Sequence, residues 1–268
     1  DISFQPVFFR KDEPALQLAW GKLANSIYNA PKELTQQGTH ESVFCARPGL
    51  DVYQVSSWSE MKDYYDPQEV IEAARLMVSV ADRYRGNTNF EYDLVDVVRQ
   101  AIAEKGRLMQ KAVTAAYRAG DKELFAMASQ KFLNLILLQD QLLGTRAEFR
   151  LGRWVNSARA QGVTPEEIAL YEWNARVQVT TWGNRNAAER GGLRDYAHKE
   201  WNGLLKDFYY VRWKLYFDNL ARKMEGETIP ETDFYAVEEA WVKRTNPYQA
   251  EPEGDCVDTA KLIFETLF

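Results

Sequence analysis

Apolar side chains recur along most of this chain at spacings of three and four residues, which places them on one face of an α-helix. The first run contains Leu16, Trp20, Leu23 and Ile27, and Asp12-Glu13-Pro14 opens it with a cap residue and a proline. Alternating patterns typical of strands are nearly absent. The pattern therefore predicts an all-α fold, a single bundle-like domain of about eight to ten helices.

Short polar residues mark where several of these helices begin, because their side chains can accept hydrogen bonds from free backbone amides. Two of these starts also have the spacing of a capping box, with glutamate at the third helical position. They are Asp66 with Glu69 and Thr164 with Glu167. The remaining predicted caps are Asp121, Thr232 and either Asp255 or Asp258.

Helix boundaries and one long irregular stretch complete the predicted organisation. We expect a long helix over 89–118, a shorter one over 146–161, and a long or broken one from 193 to about 224. Residues 32–64 carry no periodic pattern. We divide the chain into a tail left from a preceding domain, residues 1–12, and one helical domain, residues 13–268.

Composition and charge limit the classes of partner. Hydrophobic residues make up 46% and charged residues 27% of the 268 residues, which is ordinary for a globular protein with a sizeable core. The net charge is −6 and no basic face is clustered, so we expect no nucleic acid partner. We also expect no membrane partner, because no apolar run reaches about 18 residues.

The most informative segment is Val179-Thr180-Thr181-Trp182-Gly183, followed by a polar loop and Leu193-Arg194-Asp195-Tyr196. We expect Gly183 to end one helix and a second helix to start near Leu193. Trp182 and Tyr196 would then lie together at one edge of the bundle. An aromatic wall beside amide and guanidinium groups suits a sugar, whereas simple core packing of both rings is the alternative.

Five stretches of the chain, in order, resemble the C-terminal helical domain of the family 89 glycoside hydrolases, the α-N-acetylglucosaminidases. The resemblance covers roughly residues 15–268. Besides the segment around Trp182, the matching stretches are Tyr92-Asp93-Leu94-Val95-Asp96-Val97-Val98-Arg99-Gln100, Leu151-Gly152-Arg153-Trp154, Tyr209-Tyr210-Val211-Arg212-Trp213 and Gly254-Asp255-Cys256-Val257-Asp258-Thr259-Ala260-Lys261.

The resemblance implies an exo-acting, retaining enzyme that removes terminal α-linked N-acetylglucosamine without metal or cofactor. Its two catalytic glutamates would lie in a preceding catalytic barrel domain of the same protein, so we expect no catalytic residue here and no activity of the isolated chain. The residues implied to contact substrate are Trp182, Tyr196, Leu193 and His40. The loop of residues 184–192 is longer than in the family, which leaves its place in the pocket open.

Other chemistry is sparsely represented. The sequence contains two histidines, His40 and His198, so a di-iron bundle site built on Asp195-x-x-His198 would lack its second carboxylate–histidine motif. We expect Asp195 and His198 to form a local pair at a helix N-terminus instead. Two cysteines build no zinc site, and whether they form a disulfide stays open. We expect Arg99 and Arg212, which lie within apolar helices, to form buried ion pairs with a carboxylate such as Asp93 or Asp96.

Two alternatives to the supporting domain remain. One is an autonomous helical module that binds a glycan or a protein, and the other is a small all-α enzyme complete in itself. The chain starts without methionine or a signal peptide, as a processed or excised fragment would. The resemblance to this family and the absence of an Asn-x-Ser/Thr acceptor lead us to expect an extracytoplasmic, periplasmic or exported, bacterial protein.

Overall fold

Two long helices form the centre of the domain. The computed structural model describes residues 13–31, 42–52 and 64–268. Within these ranges, helices α3 (Thr88–Ala119) and α4 (Lys122–Leu143) pack against each other and are joined at Gly120, whose φ of 70° lies in the left-handed region. The side chain of Asp121 then accepts a hydrogen bond from the amide of Leu124 at 2.9 Å and starts α4, as predicted.

The remaining helices surround this pair. They are α1 (Pro14–Asn25), α2 (Pro67–Val80), α5 (Leu151–Arg159), α6 (Pro165–Gln178), α7 (Arg185–Glu189), α8 (Tyr210–Met224), α9 (Phe234–Val242) and α10 (Cys256–Leu267). Helix α2 packs on α1 and α3, α8 packs on α4, and α10 contacts α2, α3 and α4. Helices α5 and α6 pack on each other, and both α6 and α7 contact α9.

The predicted all-α class is confirmed. Over the described ranges no β-strand forms, and an isolated parallel bridge joins Arg150 and Asn202. The core includes an aromatic cluster in which the Phe132 ring lies 4.7 Å from Trp213 and 5.3 Å from Phe44, centroid to centroid. None of the described helices has the length and apolar character needed to cross a membrane.

Two of the predicted caps form differently from expectation. Asp66 accepts from the amide of Gln68 at 2.9 Å, but Glu69 turns to Lys22 instead of closing a capping box. Asp233, rather than its neighbour Thr232, accepts from the first turn of α9.

The capping box at the start of α6 is confirmed, because the side chains of Thr164 and Glu167 each accept a hydrogen bond from the backbone amide of the other. Asp255 caps α10. Helix α1 begins after Glu13, which makes no side-chain cap, while Asp12 lies outside the described residues.

Two predicted helices are shorter than expected. Residues 147–149 form a separate 3₁₀ turn, so the helix predicted over 146–161 begins only at Leu151. The helix predicted from 193 is absent there, because Asp195 and His198 adopt left-handed backbone angles that interrupt a right-handed helix. Helix resumes after Gly203, first as a π-helical turn, Leu205–Tyr209, and then as α8.

Candidate functional site

Trp182 and Tyr196 lie together at the surface, as the sequence predicted. Their ring centroids are 5.3 Å apart and the ring planes are tilted by 58°. The two residues are 40% and 47% exposed, so neither ring is buried in the core. The alternative of simple core packing is therefore wrong for this pair, which presents two aromatic faces to solvent.

The backbone around this pair is held in an unusual conformation. Helix α6 ends at Gln178, and the amide of Trp182 donates back to the carbonyl of Val177 at 2.8 Å. Trp182 itself has a φ of 59°, so the tryptophan and not Gly183 takes the left-handed position after the helix. Left-handed backbone at a residue other than glycine costs about 1–3 kcal/mol and is concentrated at functional sites.

Two further strained residues stand on the other side of the same loop. Asp195 and His198 have φ values of 56° and 44°. The amide of Asp195 donates to the carbonyl of Thr180 at 2.8 Å, which closes the base of the loop that follows Trp182. The two exposed aromatic residues are thus held next to each other by a backbone hydrogen bond across the loop base.

The loop between the two rings is folded. Asn184 caps the short helix α7 by accepting from the amide of Ala187 at 3.0 Å, and the half-buried Leu193 donates its amide to the carbonyl of Ala187. Arg185, a donor expected beside the aromatic wall, instead forms a bidentate pair with Asp233 at 2.9 and 2.8 Å. His40 lies outside the described residues.

A buried ion network lies beneath the pair. Arg212 donates from Nη1 to Asp195 Oδ2 at 3.0 Å and to Glu238 Oε1 at 2.7 Å. Arg47 donates to both oxygens of Glu238, at 2.9 and 2.6 Å, and its Nη1 donates to Glu189 of α7 at 2.8 Å. Asp195, Arg212 and Glu238 are buried, so these charges interact with little screening from water.

Burial and ion pairing shift the pKa values of the two buried carboxyl groups in this network in opposite directions. Burial raises the pKa of Asp195 to about 6, although Arg212 opposes the shift. For Glu238, burial acts in the same direction, but Arg212 and Arg47 outweigh it and hold the pKa below its ordinary value. The pKa of Arg212 is raised by the same two carboxylates despite burial. Glu238 is therefore the more firmly ionised partner.

The expected ion pairing is confirmed for both arginines, the half-buried Arg99 and the buried Arg212, and the expected partner is correct for Arg99 alone. Arg99 pairs with Asp96 at 2.8 Å, and it also contacts Glu200. For Arg212 the expected partner was wrong, because Asp195 and Glu238 take that place instead of Asp93 or Asp96. The helix start expected to carry the pair of Asp195 and His198 is absent, and the Asp195 carboxylate turns inward to Arg212.

Sequence reasoning missed several parts of this site. Arg47, Glu189 and Glu238 were not proposed, because their pairing joins segments far apart in the chain.

Both cysteines are free and buried, so no disulfide forms. Within the described ranges, no group of three metal-ligating side chains is placed to hold an ion.

Together these features define an all-α domain that presents a strained, exposed aromatic pair over a buried ion network. A family model, the alpha-N-acetylglucosaminidase (NAGLU) C-terminal domain, matches residues 6–266. The chain belongs to this family.

Two relatives show the extent of the match. Human alpha-N-acetylglucosaminidase is 31% identical over 98% of this chain, which spans 34% of the human protein. The family 89 glycoside hydrolase from Clostridium perfringens, solved with 2-acetamido-1,2-dideoxynojirmycin, superposes with a TM-score of 0.90 at 33% identity. That match covers 94% of this chain and 29% of the bacterial one. The chain thus spans about a third of the length of either relative.

A third comparison concerns a substrate complex. A variant of the same bacterial hydrolase, with two glutamates changed to glutamine, was solved with its substrate GlcNAc-alpha-1,4-galactose. It superposes on this chain with a TM-score of 0.90 at 33% identity, again over 94% of this chain.

Proposed function

We propose that this domain forms one wall of the sugar pocket of an exo-acting, retaining α-N-acetylglucosaminidase. The observation that carries the proposal is the exposed pair of Trp182 and Tyr196, with rings 5.3 Å apart, in a family of glycosidase domains. A pyranose ring has a weakly apolar face that packs on such rings, as bases do on aromatic side chains. Its hydroxyl groups then hydrogen-bond to polar groups around them.

The chemistry itself is assigned to another part of the protein. Retaining glycosidases use two carboxyl groups about 5–5.5 Å apart, one as acid and base and the other as nucleophile. The buried carboxylates beside the aromatic pair, Asp195 and Glu238, are both occupied by Arg212 and shielded from solvent. They are therefore unsuited to attack a sugar, and we place the catalytic glutamates in a barrel domain that packs against this one.

The proposed substrate is a glycan with a terminal α-linked N-acetylglucosamine. The Clostridium perfringens relative was solved with GlcNAc-alpha-1,4-galactose as its substrate, and the present chain shares its fold at 33% identity. We also propose that the protein acts outside the cytoplasm, either in the periplasm or after export.

Hydrolysis of a chromogenic α-N-acetylglucosaminide tests this assignment. The chain alone is assayed beside a longer form that includes whatever precedes it in its own gene. Activity of the longer form and none of the chain alone would favour our assignment, in which this domain lines the pocket and the catalytic carboxylates lie elsewhere in the protein. Activity of the chain alone would contradict that division, and inactivity of both forms with glycan binding by the chain would favour an autonomous binding module.

A further inference from the structure

We propose that Arg212 is a positioning residue that, through Asp195, sets Tyr196 against Trp182. The consequence for sugar binding rests on the proposed function, whereas the positioning itself is a property of this chain. Arg212 lies beneath the aromatic pair and is fully buried. Its carboxylate partners Asp195 and Glu238 are buried as well, so we argue its effect on the pair through the residues that it holds.

The first step is the link between Arg212 and the backbone of Asp195. The aspartate is buried and has a φ of 56°, a conformation that short polar residues reach more readily than others but that still stores strain. Its carboxylate accepts from Arg212 Nη1 at 3.0 Å. The ion pair thus pulls the side chain inward and stabilises a backbone angle that Asp195 would otherwise leave.

The second step is the effect of that angle on the next residue. Tyr196 directly follows Asp195, so the φ and ψ of the aspartate set the direction in which the tyrosine side chain leaves the backbone. The amide of Asp195 is fixed to the carbonyl of Thr180, two residues before Trp182. With the amide fixed, rotation at Asp195 would move the Tyr196 ring relative to Trp182.

The third step is the rigidity of Arg212 itself. Its guanidinium donates to Glu238 at 2.7 Å and to the carbonyl of Cys45 at 2.7 Å, and it stacks 4.6 Å from the Phe208 ring centroid. Contacts on several sides prevent it from following a displaced Asp195. A fixed guanidinium can therefore hold the aspartate in a strained geometry rather than relax with it.

The fourth step concerns the middle of the loop. Glu238 also accepts two hydrogen bonds from Arg47, whose Nη1 holds Glu189 of α7 at 2.8 Å. One carboxylate therefore connects the inner anchor at Asp195 with an outer anchor on the loop helix. The loop that carries the aromatic pair is thus held at a buried point, Asp195, and at an exposed one, Glu189, by a single connected ion network.

Fluorine NMR of the chain labelled with fluorinated tryptophan tests the positioning directly. The Trp182 resonance is assigned with Trp182→Phe, and Tyr196→Leu gives its position without the neighbouring ring. We expect Arg212→Met and Asp195→Gly to move the Trp182 resonance at least half of the way to the Tyr196→Leu position. Asp195→Asn should keep it near wild type, because asparagine tolerates the left-handed backbone and still accepts from Arg212.

Arg176→Met is the matched control. Arg176 is also fully buried, and its side chain pairs with the buried Glu172 and the carbonyl of Asn246 rather than with Asp195. Its loss should destabilise the fold to a similar degree without moving the Trp182 resonance. A folded Arg212→Met protein with an unchanged resonance would overturn the proposal, as would an equal shift in Arg176→Met.

If Arg212→Met fails to fold, Asp195→Gly and Asp195→Asn decide the question. An unchanged resonance in both variants would overturn the proposal, and a shift in the glycine variant alone would support it.

Turnover of the longer, active form separates this inference from the proposed function. Asp195→Gly should raise KM by about as much as Trp182→Ala does, while the pH profile of kcat stays unchanged, because Asp195 takes no part in the chemistry. Wild-type turnover in Trp182→Ala would contradict the proposed function. The fluorine spectra would still decide whether Arg212 positions the pair.

Discussion

The carbonyl of Thr180 accepts a hydrogen bond from the amide of Asp195 at 2.8 Å, and this bond brings the two ends of a polar loop together. Each exposed aromatic residue lies within two positions of the bond, Trp182 after Thr180 and Tyr196 after Asp195. The same aspartate is held from below by Arg212. The exposed aromatic pair is thus connected through Asp195 to a buried ion pair.

Stability should depend on pH through Asp93. Burial raises the pKa of this carboxyl to about 6, and repulsion from Asp96 adds to the shift. In the unfolded chain the pKa of Asp93 returns to about 4. At pH 7 the carboxyl is ionised in both states, and its burial in the folded state therefore lowers the free energy of unfolding. Asp93→Asn should therefore be more stable than wild type at pH 7, with the difference lost as pH falls from about 6 to about 4.

Urea unfolding of wild type and Asp93→Asn at a series of pH values measures this difference. Asp96→Asn is the control, because it removes the carboxylate that pairs with Arg99 at 2.8 Å but leaves Asp93 buried and titratable, so the pH dependence assigned to Asp93 should persist in this variant. A gain for Asp93→Asn that stays constant down to pH 4 would contradict the assignment of the shift to this carboxyl.

Two helical glycines should respond to alanine in opposite directions. A Cβ added at Gly152 of α5 would overlap the backbone carbonyl of Gln249, so Gly152→Ala should destabilise the fold by about 1–3 kcal/mol. A Cβ at Gly21 of α1 meets nothing within 4 Å, so Gly21→Ala should stabilise it by about 0.5–1 kcal/mol.

Chemical denaturation of the two glycine variants beside wild type checks both signs. Equal effects at the two positions would mean that the segment around Gln249 does not pack against α5 as described.

The thiols should be unreactive in the folded chain. Cys45 is buried and its pKa is raised well above the ordinary value by burial, while burial raises the pKa of Cys256 to about 11. Because the thiolate is the reactive form, both should react with a disulfide reagent only after denaturation. Thiol titration of native and denatured protein measures this, and rapid labelling of the native chain would contradict the burial of one or both cysteines.

Much of the fold could be predicted because its causes are local. The spacing of apolar residues predicted α3 as 89–118, and the helix extends over Thr88–Ala119. Thr164 and Glu167 are close in sequence and their capping box formed as expected. The proximity of Trp182 and Tyr196 was also predicted, from a helix end and the polar loop after it, although the second helix expected from 193 is absent.

The missed features arise from contacts between distant segments. The partners of Arg212 include Glu238 and the carbonyl of Cys45, and no spacing rule connects these positions in the chain. The helix predicted from 193 failed because Asp195 turns its carboxylate into the core instead of capping a helix. A left-handed angle at Trp182 is rare for a bulky residue, so the sequence offers no signal for it.

The most direct test of the central claim is the turnover of a chromogenic α-N-acetylglucosaminide by the longer, active form with Trp182→Ala. Loss of one stacked aromatic ring costs on the order of 1–3 kcal/mol, so kcat/KM should fall by about 10-fold or more. Trp182→Phe, which keeps a flat ring, should retain most of the activity. Trp173→Ala, which removes an indole of similar exposure from α6, should leave turnover unchanged. Wild-type turnover in Trp182→Ala would contradict the account.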